Sequence, residues 1–181
     1  MTLDQLIDSL PSYAKDLKLN FSSLVRNQTE LTPTQVWGTL VASAIATRTP
    51  QLLEAVIGDA AAHLSAQALD AAKAAASIMA MNNIYYRFLH LTSNEKYATL
   101  PAKLRMNVLR THGTDAVDFE LWSLAVSAIN GCGKCVDSHE SVLRQKGVSE
   151  ETIAQAIRVA AIVHAIGTTL EAESVNVLQP A

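Results

Sequence analysis

The sequence predicts an all-α protein, on three observations. Alanine and leucine, 28 and 22 residues, supply 50 of 181 positions, and both lose little conformational freedom in a helix. Apolar residues make up 49% of the chain but aromatics only 5%, so the core must be built from small aliphatic side chains. Helix start and stop signals also recur along the whole chain. At this length one domain, 1–181, is expected, burying roughly 70% of the surface its unfolded chain exposes.

Taken in order, Leu3, Leu6, Ile7 and Leu10 suggest a short opening helix. Pro11 and Ser12 restart the chain as Tyr13 to Val25. Thr32-Pro33-Thr34-Gln35 is a strong start: Thr32 can cap, Pro33 loses nothing at the first helical position, and Gln35 can close a capping box. That helix is predicted to reach about Thr49 and to end at Pro50. Leu52, Leu53, Val56 and Ile57 open another that frays near Gly58. Ser65 caps a long Ala-rich helix through Met81 or beyond. The polar stretch from Leu91 to Pro101 reads as a loop, followed by a short helix near Arg105 to Leu109 and a turn at His112-Gly113. Asp115 to Ile129 is helical, Gly131 punctuates it, and Cys132 to Gln145 is helical up to Gly147. Ser149 caps a last long helix to about Val175.

Two stretches of this series are alike. At an offset of 84, Ser43-Ala44-Ile45 falls on Ser127-Ala128-Ile129 and Leu64-Ser65 on Val148-Ser149, and one further residue brings Trp37 onto Trp122. A duplicated helical unit, about 30–90 and 115–175, is the reading this suggests. Arg48 and Gln51 then stand where the second copy has Cys132 and Cys135, so the second copy alone would carry thiol chemistry.

The charge balance, 14 Lys and Arg against 17 Asp and Glu for a net −3, argues against a grip on nucleic acid, which needs a basic stripe. Uninterrupted apolar runs are short for a bilayer span, and the first segment carries acids rather than a basic leader. A soluble, cytoplasmic protein with no membrane segment is expected. Its two cysteines should be reduced thiols unless their placement makes them reactive or metal-binding.

Their placement does so. Asn130-Gly131-Cys132-Gly133-Lys134-Cys135-Val136-Asp137-Ser138-His139 puts both cysteines at the start of a helix, where free backbone N–H groups and the helix dipole favour a thiolate. Glycines at 131 and 133 allow a tight turn, and Lys134 adds positive charge. His139 lies four residues after Cys135 and seven after Cys132, so all three share a helix face. An imidazole one turn from Cys135 can take its proton and return it to a leaving oxygen. This spacing favours Cys135 as the attacking sulfur and Cys132 as its disulfide partner. The competing consideration, that the first cysteine of such a pair is usually the more exposed, favours Cys132. Glu120, a carboxylate in an otherwise apolar run, could fix the His139 tautomer.

Plainer readings stand beside these. Cys132, Cys135 and His139 are three plausible zinc ligands, with Glu120 or a distant histidine as the fourth. Glu120 could be a solvated acid at a helix start and His139 a surface imidazole. His164, in the apolar run 159–166, reads as a hydrogen-bonded core residue. His63, His90 and His112 sit beside loops, and Asp137 and Glu140 face water. Trp37 and Trp122 read as core or subunit contacts, and Met79 and Met81 as gap fillers.

Glu120, eleven residues, Cys132, two residues, Cys135, three residues, His139 resembles the signature of the alkyl hydroperoxide reductase D (AhpD) family, within the carboxymuconolactone decarboxylase-like superfamily. The resemblance extends to Trp122-Ser123-Leu124-Ala125-Val126-Ser127-Ala128-Ile129-Asn130-Gly131-Cys132 and Met79-Ala80-Met81-Asn82-Asn83, and covers nearly the full chain. It implies an all-helical homotrimer with antioxidant peroxidase activity on organic hydroperoxides. It also implies a larger role, regenerating the peroxiredoxin AhpC. The electrons would come from dihydrolipoamide, an electron-donor substrate carried on a lipoyl-bearing 2-oxo acid dehydrogenase component and recharged by dihydrolipoamide dehydrogenase. No metal or tightly bound cofactor is implied. By position, Cys135 would form the sulfenic acid, Cys132 would be the resolving thiol and proton donor, and Glu120 and His139 would belong to a proton relay. One departure is that some members carry His between the cysteines where this chain has Lys134, so a proton-shuttling role there does not carry over. Two other classes stay open: a lactone decarboxylase that does not use the cysteines, and a non-enzymatic helical oligomer that senses redox state.

Overall fold

The computed structural model describes residues 1–175, whose regular elements are all helices, with no strand among them. The helices are α1 (Leu3–Asp8), α2 (Lys15–Phe21), α3 (Pro33–Thr47), α4 (Pro50–Ala60), α5 (Ala66–Leu91), α6 (Lys96–Thr99), α7 (Val108–Thr111), α8 (Ala116–Ile129), α9 (Gly133–Gln145) and α10 (Glu150–Ser174). The all-α expectation holds.

Helix starts follow the capping chemistry. The Thr32 hydroxyl accepts from the Gln35 N–H at 3.2 Å while the Gln35 side-chain oxygen accepts from the Thr32 N–H at 3.0 Å, the reciprocal pair of a capping box. Ser65, Asp115 and Ser149 cap α5, α8 and α10 through their own side chains, without the reciprocal bond. Gln35 also ties the start of α3 to the start of α8, since its Nε2 donates to Asp118 Oδ1 at 2.9 Å. Burial is the main cause that holds the Asp118 carboxyl above its ordinary range, with the Gln35 bond opposing it and the Asp115 charge adding to it.

Helices α3, α8 and α10 pack against one another at the centre, with α5 closing over α3 and α8. Small residues set the spacing. A Cβ on Gly38 would come within 2.0 Å of Trp122 Cε2, so the indole of the fully buried Trp122 lies directly on the α3 backbone. By length and composition α10 could cross a bilayer, yet its Ile153, Val159, Val163, Ile166 and Leu170 are buried in this core. Counting uninterrupted apolar runs overlooks this helix, because Arg158 and His164 break the run without breaking the buried face.

Several boundaries differ from expectation. The Tyr13–Val25 segment is a 3-10 turn (Ser12–Ala14), α2 and a π turn (Ser22–Arg26). Helix α3 stops at Thr47, where Arg48 takes a left-handed conformation at φ 60°. Pro50 is the first residue of α4 rather than the end of α3, the position where a missing N–H is harmless. Helix α4 passes through Gly58 to Ala60. The 91–101 loop contains the single turn α6, entered by an Asn94 side chain that accepts from the Lys96 N–H at 3.1 Å. The short helix after it sits later than expected, at Val108–Thr111.

Candidate active site

The reactive segment follows the corner between α8 and α9. Helix α8 buries Leu121, Trp122, Leu124 and Ala125 and leaves Glu120 partly exposed on another face. At its end the Cys132 N–H donates to Ser127 O at 3.1 Å, closing the helix through Gly131, whose φ of 67° favours glycine. Gly133 has no such requirement, so of the two glycines only the first makes the turn. Cys132 then stands as N-cap of α9 and Cys135 lies in its first turn.

The two sulfurs are joined as a disulfide across a Cα–Cα distance of 5.3 Å. Both residues are buried, Cys132 completely and Cys135 to within 6%. They differ in what they meet: Cys135 lines a cavity of about 340 Å³ and Cys132 does not. Being N-terminal in the pair therefore does not make Cys132 the accessible sulfur.

His139 lines the same cavity. Its Nδ1 lies 2.7 Å from Glu120 Oε2, with side-chain exposures of 13% and 25%. A carboxylate only accepts, so Nδ1 donates this bond, and the ring's other nitrogen is Nε2. That Nε2 lies 3.2 Å from Met79 Sδ, on the cavity wall. Lys134 is exposed at the mouth, and Tyr86, Met106 and Leu109 give the rest of the wall an apolar character.

A buried amide network fixes this corner against α5. Asn83 Nδ2 donates to Ser127 Oγ at 2.9 Å and Asn83 Oδ1 accepts from Asn130 Nδ2 at 2.9 Å. Arg87 donates to the Asn130 carbonyl at 2.5 Å. Thus Glu120, Cys132, Cys135 and His139, all singled out in the sequence, come together. Met79, Asn82, Asn83, Tyr86 and Arg87 carry no part in the site on sequence grounds. Their signals are helical spacing on a single stripe of α5, which an Ala-rich core helix shows as well, and, for Met79, Asn82 and Asn83, a place in the stretch that resembles the family, which assigns them no role.

The remaining histidines fall outside this constellation. His63 stacks on Trp37 with centroids 4.2 Å apart, and His112 on Phe119 at 4.1 Å. His164 is exposed rather than buried in the core, because the α10 stripe defined by Val163, Ile166 and Leu170 turns it outward. Glu140 is half-buried, whereas Asp137 faces water as expected. Met79 is more than a gap filler, since it meets the imidazole. Among the described residues no three His, Cys, Asp or Glu side chains converge as metal ligands.

Residues 95–176 match the Carboxymuconolactone decarboxylase family. Curated relatives match along almost the whole chain. A protein of Acidobacterium capsulatum named alkyl hydroperoxide reductase AhpD is 65% identical over 176 residues, covering 97% of this chain and 96% of its own. One of the same name from Solibacter usitatus is 62% identical over 174 residues, covering 96% and 98%. Another from Streptomyces griseus is 56% identical over 175 residues, covering 97% and 98%.

Proposed function

Because the chain belongs to the alkyl hydroperoxide reductase AhpD family, within the carboxymuconolactone decarboxylase family, we propose that it is a peroxide-reducing oxidoreductase whose working group is the Cys132–Cys135 pair. The observation that carries this reading is the meeting of Cys135 and the Glu120-bound imidazole of His139 at one cavity.

In the reduced enzyme, His139 Nε2 takes the Cys135 thiol proton. Residues four apart on a helix have Cβ atoms about 5–6 Å apart, within reach of side-chain proton transfer. The thiolate attacks the terminal oxygen of a hydroperoxide: the O–O bond breaks, an S–O bond forms, and the departing alkoxide takes the proton from His139 to leave as an alcohol. Cys132 then attacks the Cys135 sulfenic acid, releasing water and giving the disulfide. Glu120 orients the ring and stabilises its protonated form. A dithiol closes the cycle by thiol–disulfide exchange, becoming oxidised as both cysteines are restored. We assign that role to dihydrolipoamide on a 2-oxo acid dehydrogenase component, recharged by dihydrolipoamide dehydrogenase. The apolar wall of Tyr86, Met106 and Leu109 suits an acyl arm. In the adaptor role the reduced pair transfers its electrons to the disulfide of the peroxiredoxin AhpC. No step needs a metal or a tightly bound cofactor.

The same reading includes a cytoplasmic homotrimer. Ile84, Phe88, Leu91 and Leu100 are exposed large apolar residues along and beyond the second half of α5, the kind of surface that contacts between copies cover. It also includes one domain built from a duplicated unit. Helices of 15, 11 and 26 residues in α3–α5 are followed by 14, 13 and 25 in α8–α10, in support of that duplication.

The test uses two serine variants. Cys135→Ser abolishes turnover of cumene hydroperoxide with dihydrolipoamide, and Cys132→Ser accumulates a sulfenic acid on Cys135 that a dimedone probe captures. Labelling of Cys132 alone, in Cys135→Ser protein, would reverse the two roles. Activity that survives Cys135→Ser would point to lactone chemistry, and disulfide formation without turnover to a redox sensor.

A further inference from the structure

Each ring nitrogen of His139 meets an atom that can only accept a hydrogen bond. Nδ1 lies 2.7 Å from the Glu120 carboxylate, and Nε2 lies 3.2 Å from the thioether sulfur of Met79. A neutral imidazole has one N–H, which the carboxylate takes, so a bare Nε2 would set its lone pair against those of Sδ. The ring that satisfies both partners donates at both nitrogens.

Met79 is held in this place. It is 1% exposed in the middle of α5, and its sulfur lies 3.9 Å from the Asn83 side-chain nitrogen. Asn83 is in turn bonded to Ser127 and Asn130, directly ahead of the cysteine turn. Filling the space does not by itself call for sulfur here, since leucine and methionine exchange at nearly constant volume. Glu120 touches the ring, whereas Tyr86 and Lys134 line its cavity and Lys134 is exposed to water. The charge in contact with the ring is therefore negative.

The Met79 contact belongs to the disulfide form, in which Cys135 has no proton to give. In the dithiol form the Cys135 thiol can donate to Nε2, which the proposed attack on peroxide requires to be bare. We infer that Met79 is a positioning residue for the reductive half of the cycle: once the disulfide has formed, its Sδ accepts the Nε2–H of His139 and keeps on the ring the proton that Cys135 takes when a dithiol reopens the bond. This rests on the Cys132–Cys135 pair being the working group.

A dithiol enters at Cys135, the cysteine that lines the cavity. Its first thiolate bonds to the Cys135 sulfur and breaks the bond to Cys132, which leaves as a thiolate and takes up the proton that the attacking thiol shed. Its second thiolate bonds to the first sulfur, closing a cyclic disulfide and expelling Cys135. The Cys135 thiolate takes the proton from Nε2, leaving the ring neutral for the next peroxide. The dithiol is oxidised as the Cys132–Cys135 bond is reduced, and the proton shed by the second thiol balances the one that the ring drew from solvent.

The test reads the ring directly in the full-length protein. Two-bond proton–nitrogen NMR spectra of histidine-labelled protein report which ring nitrogens carry protons, and the spectrum of His139→Phe identifies the His139 signals. Both nitrogens should be protonated in the wild-type disulfide form, with Nε2 bare after reduction and bare again in the disulfide form of Met79→Leu. Half-reaction rates follow from alkylation of free thiols. Met79→Leu should slow reduction by dithiothreitol about fivefold more than it slows oxidation by cumene hydroperoxide, the size of one modest hydrogen bond. A bare Nε2 in the wild-type disulfide form overturns the assignment, whether or not the variant folds, and so do equal losses in the two steps. Wild-type thiols inert to the hydroperoxide would instead overturn the function proposed above, because the spectra are read without turnover.

Discussion

Replacing Glu120 by Gln isolates what the carboxylate charge does for His139. Gln keeps the size of the side chain and an oxygen that can accept from Nδ1, so the ring stays oriented while the charge is lost. In the attack on peroxide the ring becomes an imidazolium facing that carboxylate across the 2.7 Å contact. Two unit charges about 4 Å apart at an effective dielectric constant of about 20 interact by roughly 4 kcal/mol. Glu120 is a quarter exposed and His139 13% exposed, so solvent removes much of this, and a net loss of about 1.4 kcal/mol, or roughly tenfold in rate, is expected. The assay is the rate of disulfide formation in reduced protein mixed with cumene hydroperoxide near neutral pH, quenched by alkylation. Glu120→Ala loses orientation as well and should be slower still. A double-mutant cycle decides the route: in a His139→Phe background the Glu120→Gln change should have no further effect. Undiminished oxidation by Glu120→Gln, or independent losses in the cycle, would refute the claim that Glu120 acts through the imidazole.

Two further outcomes test the fold that holds the site. Gly38→Ala drives a Cβ into the Trp122 indole at 2.0 Å; about 3 kcal/mol of overpacking less about 1 kcal/mol of helix propensity leaves about 2 kcal/mol, seen as a fall of roughly 4–8 °C in Tm. Asp118→Asn should raise Tm at neutral pH. Burial raises the Asp118 pKa in the folded state, so its favourable contribution is complete below the unfolded value of 3.8 and is lost as pH rises through the folded value. The asparagine keeps an oxygen for Gln35 without the buried charge, so its advantage should shrink as a Tm-against-pH series is taken below 3.8. An advantage that grows in acid would contradict the assigned direction.

Local chemistry in the sequence determined the helices and the reactive segment. Thr32-Pro33-Thr34-Gln35 specifies its own capping box because both partners lie within one turn. Likewise, Cys135 and His139 line one cavity because helical spacing puts them on one face of α9, whereas Cys132 is the N-cap outside that helix and does not share it. Glu120 was legible as a carboxylate in an otherwise apolar run and through its interval to the cysteines, yet nothing in the sequence says which way α8 will turn it. What the chain could not state is which wall faces Cys135. Met79 against the imidazole, Asn82 on the wall of the Cys135 cavity and Asn83 on Ser127 and Asn130 join residues far apart in the chain. Those contacts arise because α5 packs over α8 and α9, and packing of this kind, like that of Trp122 on Gly38, is set by the summed fit of many side chains. His164 marks the same limit: its neighbours in sequence are apolar, but a modest rotation about the α10 axis decides burial, and only packing supplies that rotation.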